Sequence, residues 1–224
     1  MRPATLAATL CAALGLAGCI DAYTEKRPRP QVEAEDASGD AARGDSDGGT
    51  ADAGADAAPP VDPCAARATY PVGPFGRGEG DVIADLSFQA ADGAPVSFSS
   101  ARAECGARLL LVSTSAGWCT ACREEQPLLQ RLSEQHAAAG LVVWVTLFEN
   151  DNYAPATLRD VAAWVRRYDL TFPVVLDAPF ALSAYYDRNS TPMNMLVNLE
   201  TMQIVHIAIG SVDSNFENIL EANL

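Results

Sequence analysis

An apolar run, then two cysteines three positions apart, then a helical pattern, constrains this chain more than any other feature. The run is Leu109-Leu110-Leu111-Val112, the cysteines lie in Trp118-Cys119-Thr120-Ala121-Cys122, and the helical pattern extends from Arg123 to His136. A continuous apolar strand, here Arg108 to Ser113, is typical of a sheet covered on both faces. Cysteines at this spacing fall on the first turn of the following helix, close enough to close a small disulfide ring. The amides and dipole of a helix N-terminus stabilise a thiolate, which lowers the pKa of the leading cysteine. An accessible low-pKa thiol beside a resolving thiol is what thiol–disulfide exchange requires. The same spacing also serves zinc, but zinc takes four ligands, and the sequence offers no second pair and no nearby histidine pair. A static structural disulfide is the plainer alternative for Cys119 and Cys122.

The remaining cysteines bear on the compartment. Residues 1–18 read as an export signal, with Arg2 as the positive end and Ala4 to Leu16 as an apolar core too short for a comfortable membrane span. Leu16-Ala17-Gly18-Cys19 has the form of a lipobox, in which Cys19 is acylated and becomes the first residue of a bacterial lipoprotein. Cys11 leaves with the signal. Residues 19–63 then form a lipidated cysteine and an acidic tether, rich in Ala, Asp, Gly, Glu and Pro and nearly free of large apolar residues. Such a segment cannot bury enough surface to offset its ordering entropy. It carries much of the formal net charge of −14, which argues against a nucleic-acid partner. The expected location is the bacterial cell envelope, with the chain lipid-anchored and its domain facing the periplasm or exterior.

Residues 64–224 are long enough for one domain with a full core. Four cysteines remain there: Cys64, Cys105, Cys119 and Cys122. If the last two are the active pair, Cys64 and Cys105 are the natural partners for a structural bridge in an oxidising compartment. A loop of that size contributes roughly 3–4 kcal/mol, less any strain. The alternative makes one of them an additional redox-active thiol.

Asp81 to Phe88, the turn signal Ala91-Asp92-Gly93 and Val96-Ser97-Phe98 suggest an N-terminal hairpin. Leu141 to Phe148 reads as a second buried strand, Thr157 to Tyr168 as an amphipathic helix, Phe172 to Leu176 as a short strand and Phe180 to Tyr186 as a short helix. Met195 to Leu199 and Gln203 to Ile209 make a closing hairpin turning at Glu200-Thr201. Ser214-Asn215-Phe216-Glu217 has the form of a capping box for a final helix. The order is that of an α/β thioredoxin fold, a central mixed β-sheet flanked by helices, here with an N-terminal β-hairpin extension. Ser190-Thr191-Pro192 stands before the closing hairpin, where that fold places a cis-proline opposite the two cysteines. There Trp118, Thr191 and Pro192 would contact substrate, with the Thr191 backbone free to pair with an extended client chain. An ordinary strand-start proline is the alternative. His136 reads as a helix-face residue and His206 as solvent-facing or locally paired. Met193, Met195, Trp144 and Trp164 read as packing residues.

With Trp118-Cys119-x-x-Cys122-Arg123-x-Glu125-x-Pro127 and the later Thr191-Pro192, the chain resembles the thioredoxin-like lipoproteins of the TlpA/ResA type, in the redoxin (AhpC/TSA-like) group. The resemblance spans roughly Asp81 to Leu224. It implies that Glu125 sits near the thiols and tunes their protonation, and that Pro127 is the proline that kinks the active helix. An exposed helix glutamate is the alternative for Glu125. The resemblance also implies a membrane electron donor and protein thiol or disulfide substrates, with catalysis by Cys119, Cys122 and Glu125 and no cofactor or metal. Thr120-Ala121 replaces the Gly-Pro or Glu-Pro pairs common in reductive relatives, and Ser113 stands where thioredoxin itself has a buried Asp. Two other classes compete. A thiol peroxidase would want Thr three residues before its reactive cysteine, where Ala116 stands. A copper-binding module on the same fold would use the thiolates as soft ligands, with His206 reaching the site.

Overall fold

The continuous apolar runs become the middle of a sheet. In the computed structural model, which describes residue 67 and residues 69–224, Leu109–Ala116 (β3) and Leu141–Glu149 (β4) pair in parallel, and every residue of β3 is buried. Val174–Leu176 (β5) adds in parallel to β4, and Met193–Asn198 (β6) adds antiparallel to the other side of β3. Ile204–Ile209 (β7) closes one edge antiparallel to β6. A hairpin of Ser87–Gln89 (β1) and Pro95–Ser97 (β2) extends the other edge. Among the described residues the sheet has seven strands in the order β2-β1-β5-β4-β3-β6-β7. A mixed sheet of this order, flanked by helices, is the thioredoxin-like architecture anticipated above, hairpin extension included.

The helices that flank the sheet are Phe98–Arg102 (α1), Thr120–His136 (α2), Leu158–Tyr168 (α3) and Ser214–Ala222 (α4). The buried positions of α2, Cys122, Glu125, Gln126, Leu129 and Leu132, recur at three- and four-residue intervals, as one helical face requires. Leu128, next to that face, is only partly buried. Phe98, Phe148 and Phe216 are among the largest fully buried side chains. Phe88, Phe98 and Trp144 meet edge-on or tilted under the hairpin, with centroids 5.4–6.4 Å apart. Met193 and Met195 are fully buried and Trp164 nearly so, as packing residues are.

Several boundaries differ from the sequence reading, each for a local reason. Phe98 does not continue β2 but opens α1, because Ser100 Oγ accepts the Ser97 N–H (2.9 Å) and turns the chain into a helix. Asp81 to Phe88 is mostly irregular: Val82 makes an isolated bridge to Gln203, and regular pairing starts at Ser87. The Phe180 to Tyr186 helix is a short 3-10 turn, Ala181–Ala184, whose first amides bond the buried Asp177 carboxylate (Ala181 N–H, 2.7 Å). The final helix is capped by Asp213, which accepts the Phe216 N–H at 2.8 Å, one residue before the expected Ser214. The closing hairpin turns as expected, with Asn198 Oδ1 accepting the Glu200 and Thr201 amides (2.9 and 3.0 Å).

Cys105, in the loop after α1, is disulfide-bonded. Its expected partner Cys64 lies outside the described residues, as do the expected signal (1–18), Cys19 and the tether (19–63).

Candidate active site

Both cysteines are delivered by the end of β3. At Gly117 the chain passes so close to the Asn150–Asp151 backbone that a Cβ would stand 2.4 Å from the Asp151 nitrogen, so only glycine fits. The Gly117 N–H bonds the Glu149 carbonyl (2.8 Å), and its own carbonyl takes Arg123 Nε–H (2.8 Å), with Arg123 held in turn by Asp151 (2.9 Å). The next turn is α2, which starts at Thr120 rather than Arg123. Cys119 is its N-cap: its sulfur accepts the Cys122 N–H at 3.0 Å, in the place usually taken by a serine or aspartate oxygen. Cys119 and Cys122 are joined, with S–S 2.08 Å and Cα–Cα 5.3 Å. Cys119 retains 4% exposure and Cys122 none, so the leading cysteine is the outer of the two.

Thr191-Pro192 comes to the same place from β6, and its peptide bond is cis. The Thr191 carbonyl oxygen is 3.7 Å from Cys119 Sγ. Behind it Thr114 Oγ1 accepts the Met193 N–H (2.8 Å) and lies 3.3 Å from Thr191 Oγ1, itself 3.5 Å from the Tyr186 hydroxyl. Burial pushes the Tyr186 phenol up to about 12. Cys122 Sγ lies 3.7 Å from the Thr114 carbonyl oxygen, an acceptor for its thiol hydrogen once the bridge is reduced.

Glu125 is one helical turn beyond Cys122, on the same face. It is not an exposed helix glutamate but a buried one, 3% exposed. Three donors converge on its carboxylate: the Val212 N–H (2.6 Å), the Asn194 amide (2.9 Å) and the Ser113 hydroxyl (3.2 Å). Burial raises its pKa above the ordinary glutamate value, and those hydrogen bonds offset part of the rise. The carboxylate and Cys122 sulfur therefore rest on consecutive residues of β3, Ser113 and Thr114. Pro127 stands inside α2 as expected, where it cannot donate to the Arg123 carbonyl one turn back.

Trp118 forms the outer wall. Its ring stacks on Tyr153 (centroids 5.3 Å, interplanar angle 16°) and meets Phe148 edge-on at 6.3 Å. Its indole N–H bonds Glu149 Oε2 (2.8 Å), and Glu149 Oε1 accepts Arg188 (2.7 Å). His206 is paired with Glu79 (2.6 Å) on β7, and His136 lies 3.9 Å from Glu221. Among the described residues, no group of three or more His, Cys, Asp and Glu is arranged to hold a metal ion.

The sequence reading missed Asn194, Glu149, Tyr153 and Arg188. Only Asn194 carried a signal, as a lone amide between two methionines read as packing residues. Glu149 and Arg188 are 39 residues apart, and nothing local announces their pairing.

The model of the AhpC/TSA family matches residues 80–206, more than half of the chain. The thioredoxin-like protein YneN of Bacillus subtilis (strain 168) is 29% identical over 140 residues, covering 62% of this chain and 77% of YneN. Among solved structures, a Chlorobium tepidum protein assigned as the thiol:disulfide interchange protein DsbE superposes with a TM-score of 0.55 at 18% identity, covering 66% of this chain and 99% of that one. A secreted thiol-disulfide isomerase of Corynebacterium glutamicum gives 0.52 at 17% identity, over 63% and 82% of the two chains. At such identities these structures establish the fold.

Proposed function

The chain belongs to the AhpC/TSA family and is a thiol–disulfide oxidoreductase of the thioredoxin-like type, and we propose that it reduces protein disulfides outside the cytoplasm while held to a membrane through Cys19. The observation that carries the reading is the Cys119–Cys122 bridge at the start of α2, with its outer sulfur capping the helix and facing the Thr191 carbonyl. In the reduced enzyme the Cys119 thiolate attacks one sulfur of a client disulfide, and the other client sulfur leaves as a thiolate that takes up a proton. Cys122 then loses its proton, with Glu125 as the acceptor, and attacks Cys119 Sγ. The mixed disulfide breaks, the second client thiol leaves, and Cys119–Cys122 is oxidised by two electrons. A membrane-bound dithiol donor reverses this last oxidation and restarts the cycle.

Trp118, Thr191 and Pro192 are the substrate-contacting residues of this scheme, and Cys64–Cys105 its structural bridge, a pairing supported by the bonded state of Cys105. The extracytoplasmic location is supported by the signal-like residues 1–18 and by a structural relative described as secreted. Among the described residues no helix is long and apolar enough to cross a membrane; the anchoring part of the proposal is supported by the lipobox form of residues 16–19. The test is insulin reduction with dithiothreitol as donor. The wild-type chain accelerates it, and Cys119→Ser falls to the dithiothreitol background; undiminished turnover by that variant overturns the reading.

A further inference from the structure

Two segments touch the outer sulfur, and the residues leading into each of them wall a cleft. Trp118 precedes Cys119, and Arg188 and Asn189 precede Thr191, whose carbonyl is 3.7 Å from Cys119 Sγ. Between them, with Glu149 and Tyr153, lies a cleft of about 430 Å³, within the size range of pockets that take small organic groups. The cleft thus begins one residue from Cys119, within reach of a residue adjacent to a client cysteine bonded there.

Tyr153 is the unusual member. It is 69% exposed, yet its backbone is in the left-handed region at φ 60°, a conformation that disfavours a bulky side chain. A tight turn holds it there: the Tyr153 N–H bonds the Asn150 carbonyl (3.1 Å), and Asn150 Oδ1 accepts the Asn152 and Ala154 amides (2.9 and 3.2 Å). The ring is thereby laid flat on Trp118 and extends that aromatic surface into solvent. Glycine would suit the backbone better, so the side chain is what the position retains. Opposite, Arg188 is half exposed, with its guanidinium 5.0 Å from the Phe180 centroid and one arm on Glu149. Glu149 is engaged on both oxygens, by Trp118 and Arg188, so the charges in the cleft are matched and it has no strong preference for a charged ligand.

The geometry points to a side-chain pocket for the client: the Trp118–Tyr153 stack and Arg188 receive an aromatic residue adjacent to the client's reactive cysteine, and so select among disulfide substrates. Ring stacking on Tyr153 and Trp118 and the facing guanidinium both favour an aromatic over an aliphatic or polar group. This assignment rests on the oxidoreductase reading above and adds the substrate class to it.

The test uses two synthetic peptides, each closed by one disulfide and differing only in Phe or Ser beside one cysteine. The wild-type chain, recharged by dithiothreitol, reduces the Phe peptide with a kcat/KM about three- to tenfold higher, the range expected for one aromatic pair. Tyr153→Gly, which relieves the backbone, brings the two peptides to within about twofold, and Tyr153→Phe keeps the discrimination. Thermal melts of all three proteins establish that they are folded. Equal turnover of the two peptides by the wild type, or full discrimination by folded Tyr153→Gly, overturns the pocket while leaving the oxidoreductase reading intact. Failure of the wild type to reduce either peptide overturns both.

Discussion

The two bonded sulfurs of this site have opposite surroundings. Around Cys119 is a rim of exposed or half-exposed groups, Trp118, Tyr153 and Arg188, tied by one ion pair and one ring stack. Beneath Cys122 is a buried floor, where Ser113, Asn194 and Val212 bond the Glu125 carboxylate at 2.6–3.2 Å and the Thr114 carbonyl faces the Cys122 sulfur. The disulfide therefore joins an outer cysteine, beside the rim, to one with no exposure. Under the proposed scheme the two halves of the exchange reaction are separated in depth: clients would be met at the rim, and the proton of the resolving thiol would be handled on the floor.

The largest effect that tests this division comes from Cys122→Ser. Attack at the rim survives, resolution does not, and the chain accumulates as a mixed disulfide with its client, visible on non-reducing gels and by mass. Absence of that adduct would break the comparison. Glu125→Gln comes next. As the proton acceptor, Glu125 acts only when ionised, so the resolving rate of the wild type rises with pH through a carboxylate pKa above the ordinary glutamate value. The variant loses that rise, and its rate at neutral pH falls by about 10²-fold, the low end for general-base catalysis. Stopped-flow measurement of mixed-disulfide decay against pH reads both.

The smallest effects are on stability. Asn194→Ala removes one donor from a buried carboxylate and costs about 1–3 kcal/mol at neutral pH. The loss shrinks as pH falls. Without that donor the folded-state pKa of Glu125 moves further above its unfolded value, so the variant loses stability as pH rises through the folded pKa and regains it below. Arg188→Ala at the rim, by contrast, removes a half-exposed arginine from a mostly buried Glu149 that keeps the Trp118 indole donor, and it costs about 1 kcal/mol near neutral pH. Urea titrations of the two variants at acid and neutral pH sharpen the contrast.

How much of this was legible in the sequence follows the same division by distance along the chain. The cysteine pair, the strand that carries it and Thr191-Pro192 are local patterns, and each stands where the pattern placed it. The helical pattern is legible from Arg123, and the helix itself extends back to Thr120, where a cysteine sulfur caps it. Burial of Glu125 depends on Asn194 and Val212, 69 and 87 residues away. The Trp118–Glu149 bond spans 31 residues. Hydrophobic periodicity reports which face of an element is covered, and it carries no information on which polar groups meet across the sheet. The pairing of Glu149 with Arg188 and the donors around Glu125 were therefore invisible, while the sulfur chemistry was not.

The close approach at Gly117 has a consequence for the history of such chains. Because the obstacle to a Cβ is the main chain of Asn150 and Asp151 rather than a movable side chain, no single substitution there is tolerated, and drift requires the facing loop to be remodelled in the same step. That loop also carries Tyr153. Reshaping it to admit a side chain at 117 would also move Tyr153 relative to Trp118, so the geometry of the reactive turn and that of the aromatic stack are bound to change together.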